Sequence, residues 1–211
     1  MVEIVAGILE KDIHDAERKI ALAAVHLTTI QIEIADNTLV PNETITDLSL
    51  FAPVIAQYPN IVFEAHLMVA NPEKYIRAVA DAGFTRIIAQ IESNDPRAFL
   101  EKVRYEELEV GLALDGGSEL REIEPFLEEI DFVLIMMVEA GFSGQPFLPE
   151  SIEKVKLIHQ NVPDLIIEAD GGINAETAKA VADVGATRIV STSFLFKNPE
   201  SMAETIESLQ R

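Results

Sequence analysis

The feature that most constrains this chain is an alternation repeated eight times. Each short run of β-branched or apolar residues is followed by a longer, charged, amphipathic stretch. The runs cover residues 3–9, 28–34, 61–69, 85–91, 109–114, 132–138, 165–170 and 187–192. Apolar runs alternating with helical patterns signal βαβ units around a parallel sheet. The step of about 25 residues is close to the minimum for a strand, a helix and the return. Eight such steps in 211 residues fit the small end of the closed (β/α)8 barrels, which begin at about 200 residues. The expectation is a single α/β domain over residues 1–211, folded as a (β/α)8 TIM barrel.

The punctuation between runs agrees. Asn71-Pro72-Glu73 places a capping residue before a proline at the first helical position, and Asn174-Ala175-Glu176-Thr177 is a similar start. Gly83 and Gly185 stand where a helix should stop before the next strand. An open doubly wound sheet would carry G-x-G-x-x-G after its first strand. The turn here reads Gly7-Ile8-Leu9-Glu10 and does not.

Charge narrows the partners. The chain has 36 acidic and 16 basic residues, a formal net charge of −20. Such a surface repels phosphate backbones, so no nucleic-acid partner is expected. A small phosphorylated substrate would have to be held by clustered backbone N–H groups. Cysteine is absent, which excludes disulfides and thiolate metal sites. The start, Met1-Val2-Glu3-Ile4-Val5, lacks the basic region of a signal peptide. No apolar run reaches the roughly 18–20 residues needed to cross a bilayer. The expectation is a cytoplasmic protein with no membrane contact.

Polar residues inside buried strands need a reason. Strand two reads Ile30-Gln31-Ile32-Glu33-Ile34, so Gln31 and Glu33 share one face and the isoleucines the other. Glu64 and His66 repeat the device on strand three, Gln90 and Glu92 on strand four, Glu168 and Asp170 on strand seven. All lie near C-terminal strand ends, where barrels of this kind keep their sites. Carboxylates gathered there raise one another's pKa and suit acid–base work or a shared metal. Glycine loops are the second signal: Glu139-Ala140-Gly141-Phe142-Ser143-Gly144-Gln145 after strand six and Asp170-Gly171-Gly172-Ile173-Asn174 after strand seven, with Ser191-Thr192-Ser193 after strand eight. Bare glycine loops and helix N-termini offer N–H groups to an anion.

At this point the motifs carry a resemblance. His66-Leu67-Met68-Val69-Ala70-Asn71-Pro72-Glu73, Val40-Pro41-Asn42, Val110-Gly111-Leu112-Ala113-Leu114, Gly141-Phe142-Ser143-Gly144-Gln145 with Phe147 and Pro149, and Asp170-Gly171-Gly172-Ile173-Asn174 resemble, strand by strand, the signatures of the ribulose-phosphate 3-epimerases. The resemblance implies a barrel of the ribulose-phosphate-binding type and an isomerase. That isomerase inverts C3 of a pentulose 5-phosphate by two-base proton transfer through an enediolate. It implies Glu33 and Asp170 as the catalytic acids and Gln31, Glu33, His66 and Asp170 as metal ligands. It further implies a substrate and phosphate pocket of Met68, Met136, Gly141, Phe142, Ser143, Gly144, Gly171, Gly172, Thr192 and Ser193. The cofactor implied is a divalent metal (zinc, manganese, iron or cobalt), weakly held or absent, and the partner a sugar phosphate, with self-association into a homo-oligomer.

The chain departs from that pattern at named positions. It carries Gln31 for histidine, Glu33 for aspartate, Gly7 for serine, Ala35 for methionine, Gln90 for histidine, Glu139-Ala140 for Asn-Pro and Thr192 for glycine. Gln31 exchanges an imidazole nitrogen for a weaker neutral donor. Three readings follow: a metal-assisted sugar-phosphate epimerase with an altered ligand set, a related isomerase or lyase on another sugar that need not be phosphorylated, and a non-catalytic barrel homologue.

Overall fold

A computed structural model describes residues 2–211. Eight strands, β1 (Glu3–Ile8), β2 (Thr29–Ala35), β3 (Val62–Met68), β4 (Arg86–Gln90), β5 (Glu109–Leu114), β6 (Phe132–Met136), β7 (Ile166–Asp170) and β8 (Arg188–Ser191), form a closed barrel in sequence order. Every pair is parallel, and β1 closes on β8 with Ala6 opposite Ser191. The helices α1 (Ile13–Ala23), α2 (Ala52–Ile55), α3 (Ile76–Ala82), α4 (Pro96–Val103), α5 (Ser151–Asn161), α6 (Ala175–Ala182) and α7 (Met202–Leu209) connect or follow the strands.

One connection departs from the expected strand–helix repeat. Between β5 and β6 the chain makes two 3-10 turns, Leu120–Glu122 and Glu124–Phe126, and no α-helix. Pro125 sits in the middle of that segment, where it removes an N–H and restricts Glu124 before it. Of the two helix starts expected from the sequence, one forms as read and the other does not. Asn174 caps α6, accepting from Glu176 N at 2.9 Å and Thr177 N at 3.2 Å. Asn71 makes no side-chain cap; it opens a 3-10 turn at Pro72–Lys74, and α3 starts only at Ile76.

The strand alternation divides the core in two. Ile30, Ile32, Ile34, Phe63, Leu67, Ile87, Val133, Ile135 and Ile167 face outward and pack with the helices in one large cluster. Inside, β4 to β6 contribute an apolar wall of Ile88, Ala113, Phe132, Leu134 and Met136. The rest of the interior is filled with polar groups, from β2, β3 and β7 and from the end of β4, and Gln31, Glu33, Glu64, His66, Gln90, Glu168 and Asp170 are all buried.

That polar fill is layered. The lower layer is an ion network: Arg86 reaches Glu64 at 3.2 Å and Glu109 at 2.7 Å, and Arg188 reaches Glu3 at 3.3 Å. Glu64 and Glu168 are buried neighbours there, and burial raises both carboxyl groups. For Glu168 the adjacent Glu64 charge adds to the effect, as when two carboxyls share one proton. Glu168 is thus a layer below the barrel mouth, rather than at it. No helix among the described residues is long and apolar enough to cross a membrane.

Candidate active site

The upper layer opens at the C-terminal ends of the strands. Strand register sets Glu33 beside His66 and Met136 beside Asp170. His66 Nδ1 lies 2.7 Å from Glu33 Oε2, and His66 Nε2 lies 3.0 Å from Gln90 Nε2. Gln31 donates its amide N–H to Glu33 Oε1 and, at 3.4 Å, to Asp170 Oδ2. Glu33, His66 and Asp170 each offer a ligand atom within 4.8 Å of the others. His66 is fully buried, yet its partners are side chains of this cluster and not the backbone.

Electrostatics follow from that packing. Burial pushes the Asp170 carboxyl up, the Glu33 charge pushes it further, and its pKa reaches about 8 despite His66 and the Gly171 N–H. Burial alone would lower His66; the Glu33 carboxylate, with Asp170 and Glu64 beyond it, reverses this and raises its pKa. Two acids pressed together with one imidazole make a donor set suited to a divalent cation, which would take the place of the Asp170 proton.

Above the cluster lies a cleft of about 490 Å3, including its open mouth, a size suited to a small ligand. Its wall contains Met68, Met136, Gly141, Phe142, Ser143, Gly144, Gly171, Gly172, Thr192 and Ser193, together with Glu33 and Asp170. At Gly171, φ is 103° and a Cβ would lie 2.5 Å from Val138 Cγ2, so both conformation and space demand glycine. Asn42 ties the β2 loop to the β6 loop by donating to the Gly141 carbonyl at 2.7 Å.

The sequence profile of the ribulose-phosphate 3 epimerase family matches residues 3–196. The chain belongs to that family. It is 34% identical over 184 residues to the ribulose-phosphate 3-epimerase of Schizosaccharomyces pombe, covering 86% of this chain and 80% of that one. It is 34% identical over 205 residues to the cytoplasmic isoform of ribulose-phosphate 3-epimerase from Oryza sativa subsp. japonica, covering 93% and 86%. Among solved structures, 3-hexulose-6-phosphate synthase from Salmonella typhimurium superposes with a TM-score of 0.74 at 13% identity, over 99% of this chain and 97% of that one. Orotidine 5'-phosphate decarboxylase from Pyrococcus horikoshii gives 0.71 at 16%, covering 99% of each. At such identity these two speak for the barrel alone.

Within this epimerase family member, several residues sit elsewhere than their spacing suggested. Glu92 does not join Gln90 in the interior. β4 ends at Gln90, the chain turns, and Glu92 instead accepts from Asp115 N at 2.9 Å. The first-turn N–H groups of α6 are not free for an anion, because Asn174 already occupies those of Glu176 and Thr177. Glu139 is exposed and is not part of the cleft wall. Leu9, Val138, Ile173 and Val190 do line the cleft; in the sequence they look like ordinary core.

Proposed function

We propose that this chain inverts C3 of a pentulose 5-phosphate, with Glu33 and Asp170 as the two proton-transferring groups. The observation that carries this reading is the meeting of two carboxyl groups from β2 and β7 at the floor of a cleft with glycine-rich loops. One group takes the proton from C3, leaving an enediolate, and the other returns a proton to the opposite face. The group that donates in one direction is the base in the reverse direction. Gln31 positions both acids through its amide N–H groups. Glu33, His66 and Asp170 would hold a divalent cation, whose charge offsets that of the enediolate. Met68 and Met136 keep water from the carbanionic face. Backbone N–H groups near Gly144, Gly172 and Ser193 receive the phosphate, and exposed Glu139 leaves that cradle free of a carboxylate.

The test is deuterium wash-in at C3 of ribulose 5-phosphate in heavy water, with manganese or cobalt supplied. The parent protein should exchange, and E33Q and D170N should each lose about 10²–10⁴-fold. Absence of exchange in the metal-supplied parent protein would overturn the reading.

A further inference from the structure

Gly7 and Thr192 form a single feature at the seam where the barrel closes. Ala6 is in register with Ser191, so the next residues of each strand meet. A Cβ built on Gly7 would lie 2.3 Å from Thr192 Oγ1 and 2.9 Å from Val190 Cγ1. No side chain at position 7 can coexist with Thr192 as it stands. The backbone at Gly7 does not have a positive φ, so glycine is needed there for space and not for conformation. The Gly7 and Thr192 departures from the family pattern are therefore coupled: side-chain bulk is missing from β1 and present after β8.

Thr192 is half-buried on the cleft wall with Glu33 and Asp170. Its carbonyl accepts from Phe196 N at 3.2 Å, while its hydroxyl has no hydrogen-bond partner among the described residues. Val190, which crowds the same space, is in register with Asp170. Gly7, which faces the Thr192 hydroxyl, is in register with Gln31, and Thr192 shares the cleft wall with Glu33 and Asp170, whereas Gly144, Gly172 and Ser193 lie in the loops. We propose that Thr192 Oγ1 binds a hydroxyl on the ketose side of the sugar phosphate, and that Gly7 provides the room for it. This rests on the cleft being the substrate site described above.

The experiment compares binding of ribulose 5-phosphate and of inorganic phosphate by calorimetry. T192V keeps the shape and removes the hydroxyl; it should weaken the sugar phosphate about tenfold and leave inorganic phosphate within about twofold. T192S should stay within about threefold of the parent for both. G7S alone should lower the melting temperature, and G7S/T192G should recover it by removing the clash. Equal sugar-phosphate affinity in parent and T192V overturns the proposal. So does an equal loss of both ligands, which would make Thr192 a phosphate ligand, or a failure of the parent to bind ribulose 5-phosphate at all. A parent that binds the sugar and shows the T192V split without exchanging C3 would defeat the epimerase reading alone. Exchange with no T192V effect would defeat this proposal alone.

Discussion

Gln90 illustrates how much a single amide can decide. It touches His66 Nε2, leaving Nδ1 toward Glu33, and its own Oε1 is buried with no partner. For Nδ1 to bind a cation, Nε2 must carry the ring proton, and a rotated Gln90 amide would present Oε1 to accept it. Groups that fix a ligating histidine in this way commonly contribute 10- to 100-fold, so Q90L should weaken manganese affinity by about that factor. Competition with a chelating dye measures this without any turnover, and unchanged affinity would show that Gln90 does not orient the ring. Most polar residues of this layer were legible from alternation, because a carboxylate within a β-branched run is conspicuous. Glu92 was misplaced by the same logic: the alternation continues past Gln90, but the strand does not. The coupling of Gly7 to Thr192 was not legible, since it depends on a contact between the first and last strands.

At the scale of elements, the loops matter more than the helices they join. Asn42 holds the β6 loop through the Gly141 carbonyl and is itself buried. N42A would leave that carbonyl unpaired in a sheltered position, at a cost of about 1–3 kcal/mol. Chemical denaturation measures the loss, and amide exchange over residues 141–144 should quicken with it. Strand positions were readable to within a residue or two because β-branched runs have little else to form. The missing helix between β5 and β6 was signalled by Pro125, a mark that the strength of the eightfold repeat obscured. Leu9, Val138, Ile173 and Val190 could not be identified as cleft residues beforehand, because an apolar residue at a strand end looks the same whether it meets a helix or a ligand.

For the molecule as a whole, the buried acids set the response to pH. The folded-state pKa of Asp170 lies at about 8, above its ordinary 3.8, and Glu64 and Glu168 are raised as well. Between about pH 4 and pH 8 the folded chain therefore retains protons that the unfolded chain has released, and stability falls as pH rises through that window. E168Q, which mimics the protonated acid, should raise the melting temperature near pH 8 and change little near pH 4. Thermal scans of both proteins across that range check this; parallel curves would place the proton elsewhere. The closing of β1 onto β8 has a consequence for the newborn chain. Its first strand emerges from the ribosome long before its last, so the ketose-facing wall does not exist during most of synthesis. Competence for ligand arrives in one event, late, and a bound sugar phosphate touching that wall acts as a clasp on the joint made last.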